Sequence, residues 1–270
     1  MENQRNIILA VVLTALILFG WQAGVEYFYP QANKPQPVAA APAGETAAKP
    51  TREGGLTSAS DIALEARDLK TVLSAGGRVP VAAPGLSGSI NLTGALVDDL
   101  TINRHTATIK QDSGPQRIFS PAGTPAQHFA QFGWVGAGAP TPATVWSAPA
   151  GAKLTPATPL TLSWVNPAGQ TFQIRLAIDK DYMITADQTV VNRGAAPVSL
   201  QPFALINRPD KTASIDSWNV HSGPFGAFDG AVRFEPNYDD VAEEGQLANE
   251  GKADWLGFSD IYWMSALVPG

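Results

Sequence analysis

From Arg78 to Pro236, apolar and polar residues alternate in short runs separated by glycine, proline and asparagine. The clearest run is TFQIRLAI, where Phe172, Ile174, Leu176 and Ile178 alternate with Thr171, Gln173, Arg175 and Ala177. A period of two places one set on a buried face and the other in water, as in an antiparallel sheet. The preceding LTLSW repeats the pattern with Leu160, Leu162 and Trp164, and NPAGQ between the two runs has turn chemistry, which predicts a hairpin. Asp179 to Asp181 then leads into YMITADQTVVN, and RGAAP into VSLQPFALI, so a meander of at least four strands is expected. Upstream, GSINLTGALVDDLTIN has the same punctuation, with Gly94 as a candidate bulge. No helical period of useful length falls between Arg78 and Pro236, and the acidic stretch Asn237 to Glu250 reads as a loop or a short helix. The expected fold is all-β, a large antiparallel β-sandwich.

Before this domain the pattern changes twice. Ile62, Ala66, Leu69 and Leu73 share one helical face, with Ser60 as cap and Gly76-Gly77 as stop, predicting a short lead-in helix. Residues 29–60 hold Pro30, Pro35, Pro37, Pro42 and Pro50 among alanines and have too few large aliphatics to offset chain entropy, which predicts a tether. At the start stands NIILAVVLTALILFGW, Asn6 to Trp21, with no charge after Asn6 and Thr14 as its only hydroxyl. At ~1.5 Å per residue, Ile7 to Trp21 spans roughly 22 Å, and extension to Val25 brings it to roughly 28 Å against a hydrocarbon core of about 30 Å. Tyr27, Phe28 and Tyr29 follow, rings suited to a membrane–water interface. A cleavable signal needs small residues at −3 and −1, but a cut after Ala23 puts Trp21 at −3 and a cut after Gly24 puts Gln22 there. An uncleaved signal anchor over residues 7–28 is therefore expected, with cleavage as the alternative. Arg5 and the amino terminus outweigh Glu2, and Glu26 precedes Lys34, which biases residues 1–6 slightly toward the cytoplasm. Residues 61–270 then form the β domain.

Composition narrows the function. The 270 residues carry a net charge of −6 with 44% hydrophobic content and no cysteine. Disulfides, thiolate metal sites and cysteine nucleophiles are excluded. Without a basic cluster there is nothing to hold a phosphate backbone, so no nucleic-acid partner is expected. The histidines are His105, His128 and His221. His105 ends a strand and is expected at a solvated edge. His128 lies among aromatics and is expected to pack, and His221 sits in a glycine-rich loop that a ligand could approach. Carboxylates pair at Asp98-Asp99, Asp179/Asp181, Asp239-Asp240 and Glu243-Glu244. Adjacent strand residues point to opposite faces, so Asp98-Asp99 does not form a facing acid pair. Asp179/Asp181 is read as a turn without the run of oxygen ligands that calcium requires, and the rest as solvated loop. No nucleophile elbow, metalloprotease helix or phosphate loop occurs. Asn91-Leu92-Thr93 matches a glycosylation sequon of high chance frequency. No catalytic residue, metal or cofactor is expected, and the chain does not read as an enzyme. Trp134, Trp218, Trp255 and Trp263 stand near glycines. They read as sandwich core and tight turns, with a shallow groove for extended polypeptide or another apolar ligand as the alternative.

One further feature lies in the words of the sequence. MENQRNIILAVVLTALILFGW resembles the N-terminus of bacterial YidC-type membrane protein insertases, and the likeness continues through GSINLTGALVDDLTI, FSPAGTPAQHFAQFGWVG, LTLSWVNPAGQTFQIRLAIDKDYMITADQTVVN and ADWLGFSDIYWMSALVP. The resemblance implies a cytoplasmic N-terminus, a single anchor in the bacterial inner membrane and a periplasmic β-sandwich of the galactose-mutarotase-like type. It implies an insertase and chaperone for nascent inner-membrane proteins, acting alone or with the Sec translocon at the lipid bilayer. The family's insertase helices and groove arginine have no counterpart up to Gly270, so the chain is expected to be the anchor and β domain of a longer protein, with the domain C-terminally incomplete. No binding residue is carried over. The alternative is a membrane-tethered periplasmic sugar-binding or mutarotase-like protein, which requires a histidine and a carboxylate converging in one cleft.

Overall fold

The structure is a computed structural model, described here for residues 69–107, 112–124, 126–209, 221–260 and 262–270. The apolar run, the tether and the cap Ser60 lie outside the described residues. Among those described, no helix is long and apolar enough to cross a membrane. Residues 69–74 are helical and end ahead of Gly77, whose φ of 82° is the left-handed conformation that stops a helix cheaply only in glycine.

Thirteen strands follow among the described residues, in three antiparallel sheets. The largest has the order β1-β2-β3-β5-β9, from Arg78–Ala82, Leu86–Asn91, Leu96–Thr106, Phe129–Val135 and Gln201–Asn207, with β4 (Pro115–Phe119) also on β3. The long β3 pairs with β5 at Leu96 and Val97 and with β4 from Leu100 onward. The second sheet is the meander β6-β7-β8, Leu160–Val165, Gln170–Ile178 and Ile184–Asn192. The hairpin expected from LTLSW and TFQIRLAI is β6–β7, with Leu162 opposite Ile174 and Trp164 opposite Phe172. The third sheet, here the terminal sheet, runs β11-β10-β12-β13 from Ala231–Arg233, Gly223–Phe228, Ala253–Ser259 and Met264–Leu267.

The six-stranded and three-stranded sheets face each other. Val81, Ile90, Val97 and Leu100 of one meet Leu160, Leu162, Phe172 and Ile174 of the other in a single core. Alternation does the sorting, since the burial of β7 follows the period of two along its whole length. Burying each such side chain contributes about 1.5–3 kcal/mol. The segment around 145–155 covers two sheet edges, since Ser147 and Ser163 exchange main-chain hydrogen bonds and Leu154 bonds β1 at Pro80 and Ala82.

Three expectations are corrected. The fourth strand of the meander leaves it, because β9 pairs with β5 along its full length and closes the large sheet. The turn RGAAP is not a hairpin turn, and residues 193–200 carry the chain across to the other sheet. A side-chain link remains, as Gln188 of β8 donates to the Gly133 carbonyl at 2.7 Å. Gly94 is not a bulge residue. It lies in the β2–β3 turn with φ 75°, and the register shift falls between Ser89 and Ile90 instead. That shift changes the fate of the acidic pair, since Asp98 and Asp99 are both buried, 1% and 7% exposed. Asp98 bonds the Arg78 guanidinium, and Asp99 accepts from Arg117 at 2.6 Å and from the Ser89 hydroxyl at 2.5 Å. Burial outweighs the Arg78 contact and holds the Asp98 carboxyl above its ordinary value. The pair ties four neighbouring strands of one sheet together and faces no cleft as an acid dyad.

In the terminal sheet, Asp229 and Gly230 turn β10 into β11 with φ of 51° and 80°, the two positive angles of a type I′ hairpin. The stretch after Pro236 contains a short helix, Tyr238–Glu244, as one of the two expected readings. Asn237 caps it by accepting from the Asp239 and Asp240 amides, and Asp240 reaches back to the Asn237 amide.

Candidate binding cleft

Three strands cannot cover the inner face of a six-stranded sheet. The uncovered part, over β3, β4, β5 and β9, is roofed by β13, and the fit leaves an apolar cleft of about 420 Å³. Its floor is Leu100, Ile102, Ile118, Phe132 and Ile206. One wall is the β7–β8 turn at Tyr182, Met183 and Ile184, and the other is Tyr262 to Leu267 with Trp263 turned toward it. At the mouth Tyr262 is 81% exposed, Met183 57% and Met264 52%, an unusual display for large apolar side chains.

Local sequence fixes the rim. Asp179 accepts from the Asp181 amide at 2.8 Å and the Met183 amide at 3.1 Å, which folds DKDYM into a tight turn. Arg104 at the end of β3 holds that turn through Asp181 at 3.1 Å and lies over the Tyr182 ring at 5.7 Å. Gly85 lets the turn come close, since a Cβ there would collide with the Asp181 carbonyl. Asp179/Asp181 is thus the turn the sequence suggested, with a positioning role in the rim.

The histidines separate as their neighbours dictate. His105 is exposed, as expected for a strand end, and its ring meets the edge of Trp263 at 4.8 Å beside the mouth. His128 packs, as expected, edge-on against Phe119 at 4.7 Å, with Nε2 2.9 Å from the Ser265 hydroxyl. Burial, with the Arg208 cation nearby, pushes it down to about 3. His221 is not an open ligand position; its Nδ1 lies 2.6 Å from the Ser259 hydroxyl and its ring against Phe234. Of the tryptophans, Trp134 is core, stacked with Trp146 and edge-on to Phe172. Trp255 packs on Phe225, and Trp218 lies outside the described residues. Of the three described here, Trp263 lines the cleft. Asp239, Asp240, Glu243 and Glu244 lie in or beside the short helix, away from it.

The cleft suits apolar groups: among the described residues its lining is mostly aliphatic and aromatic, with His105 and no carboxylate. Among the described residues, a histidine and an acid line one small space together, that of His128, Arg208 and Asp260, about 20 Å³. That is room for about one water and not for a sugar ring. Sequence reading passed over Tyr182, Met183, Arg208 and Asp260, which no local pattern distinguishes from ordinary turn and loop residues.

Comparison with known proteins settles the family. The family model for the YidC periplasmic domain matches residues 78–270. The chain belongs to this family. Among the described residues the strands begin at Arg78, where the match begins. The membrane protein insertase YidC of Zymomonas mobilis is 36% identical over 99% of this chain and 45% of that relative. The insertase YidC of Sinorhizobium fredii is 38% identical over the whole of this chain and 46% of the relative, and that of Acidiphilium cryptum is 38% identical over 73% of this chain. The chain thus spans about half the length of the curated relatives it matches over its full length.

Proposed function

We propose that this chain is the anchor and periplasmic domain of a membrane protein insertase and chaperone that aids insertion and folding of inner-membrane proteins, alone or with the Sec translocon. The observation that carries it is the match to the YidC periplasmic domain over residues 78–270, joined to relatives named membrane protein insertase YidC along the whole chain. In this reading residues 1–6 are cytoplasmic, 7–28 cross the inner membrane once, 29–60 are a spacer and 61–270 fold in the periplasm as a sandwich of the galactose-mutarotase-like type. No covalent chemistry, nucleotide or metal is required, because the work is transfer of apolar segments into lipid and a polar path lowers its cost. The cleft under β13 supports the reading as a surface able to hold apolar groups.

Depletion of the native protein tests it. Newly made inner-membrane clients should remain sensitive to cytoplasmic protease where they are normally protected, and unimpaired insertion would remove the proposal. Because the chain has no cysteine, topology can be checked with single substitutions. Thr189→Cys should react with a membrane-impermeant thiol reagent in cells whose outer membrane is opened, and Asn3→Cys only after the inner membrane is breached. A sugar-binding reading has less support, since His128 and Asp260 meet without space for a substrate.

A further inference from the structure

The terminal sheet meets the sandwich through a buried polar joint. Arg208, just past β9 and 5% exposed, donates to the Ser259 carbonyl at 2.8 Å and to Asp260 Oδ2 at 2.8 Å. His128, 8% exposed, is fixed to the large sheet by two main-chain hydrogen bonds with Ser120, and its Nε2 reaches the Ser265 hydroxyl on β13. The ring also meets Phe258 of β12, with centroids 5.9 Å apart and planes near perpendicular. So one imidazole touches both bodies, beside the strand that roofs the apolar cleft.

The charges around it are nearly all committed. From the sandwich side come Arg208, paired with Asp260, and Arg117, paired with Asp99. From the terminal sheet comes Asp260, whose carboxylate is held by Arg208. A proton on His128 would therefore place a second buried cation near Arg208, in a space with room for about one water. Released into solvent, the same imidazole accepts a proton readily.

We propose that His128 and Ser265 form an acid-sensitive latch: protonation of His128 releases the terminal sheet β10–β13 from the sandwich and opens the apolar cleft beneath β13. The latch belongs to the fold and stands whether or not the chain serves insertion. Its sign follows from linkage. The docked imidazole sits at about 3 and a released one near 6.5, so the docked state binds fewer protons. Docking is strongest above pH 6.5 and weakens as pH falls from 6.5 toward 3, by about tenfold in the docked-to-released ratio per pH unit.

Spin labels on the full chain in detergent micelles test this. Thr189→Cys on β8 and Val232→Cys on β11, both exposed, report the distance between the two bodies. Ala157→Cys with Thr189→Cys reports the sandwich alone. At neutral pH the first pair should give one narrow distance, and in acid a second, longer population should grow about tenfold per pH unit while the sandwich pair stays fixed. His128→Gln can still hydrogen-bond the Ser265 hydroxyl and does not titrate, so its narrow distance should persist in acid. An acid-invariant distance in the parent chain overturns the latch, as does release of His128→Gln at the parent's pH or a simultaneous change in the sandwich pair. If His128→Gln fails to dock at neutral pH, Ser265→Ala decides. Release at a higher pH than the parent supports the latch, and an unchanged midpoint overturns it.

Discussion

In the sandwich, Leu160, Leu162, Phe172 and Ile174 are at most 1% exposed and meet an equally apolar face. In the terminal sheet, the buried hydrophobic residues among those described are Ala227 and Phe228, and its attachment combines the packing of Trp263 on the core with a polar joint of Arg208, Asp260, His128 and Ser265. The sandwich has buried ion pairs too, but Arg78–Asp98 and Arg117–Asp99 join strands within one sheet. Apolar burial is non-directional and indifferent to proton state. A polar joint needs both partners and the right protonation, and it is lost as a unit when either fails. The fold thus couples a body that should stay closed to a body that can be let go, with the apolar cleft at their seam.

Four substitutions sharpen this contrast. The largest effect is expected from Phe172→Ala, which opens a cavity in the shared core and should cost about 3–5 kcal/mol, read as a lower urea midpoint for the whole domain. Asp260→Asn breaks the buried pair while sparing the sandwich. The loss of about 3 kcal/mol should be confined to β10–β13 in hydrogen exchange. Trp263→Ala removes one wall of the cleft and the edge partner of His105. Affinity for an apolar fluorescent probe should fall about tenfold, about 1.4 kcal/mol, with little change in the urea midpoint. The smallest effect is expected from Arg175→Ala, whose partner Asp187 is 3.2 Å away with both side chains half exposed. Stability should change by less than about 0.5 kcal/mol.

The contrast also marks what could be read from the chain alone. β6 and β7 were legible because alternation and the turn NPAGQ are local, and their partners lie a few residues apart. The destination of β9 was not, because its pairing with β5 crosses from one sheet to the other and leaves no trace in the period. Asp98 and Asp99 read as an ordinary strand pair, since the bulge that buries both and the arginines that meet them, 20 and 18 residues away, are set by register. Of the cleft, sequence supplied Trp263 by its aromatic surroundings. The remaining lining comes from β2, β3, β4, β5, β9, β13 and the β7–β8 turn, which only the packed fold brings together. His128 was legible as a packed histidine, and its role as a contact between two sheets was not.

The polar joint should let the terminal sheet open independently of the sandwich. Hydrogen exchange on the full chain at neutral pH, followed separately for β6–β8 and β10–β13, tests it most directly. The amides of β10–β13 should exchange through an opening of lower free energy than those of β6–β8, and Asp260→Asn should lower only the former. Equal protection of the two regions, falling together in Asp260→Asn, would show a single cooperative unit and contradict the account.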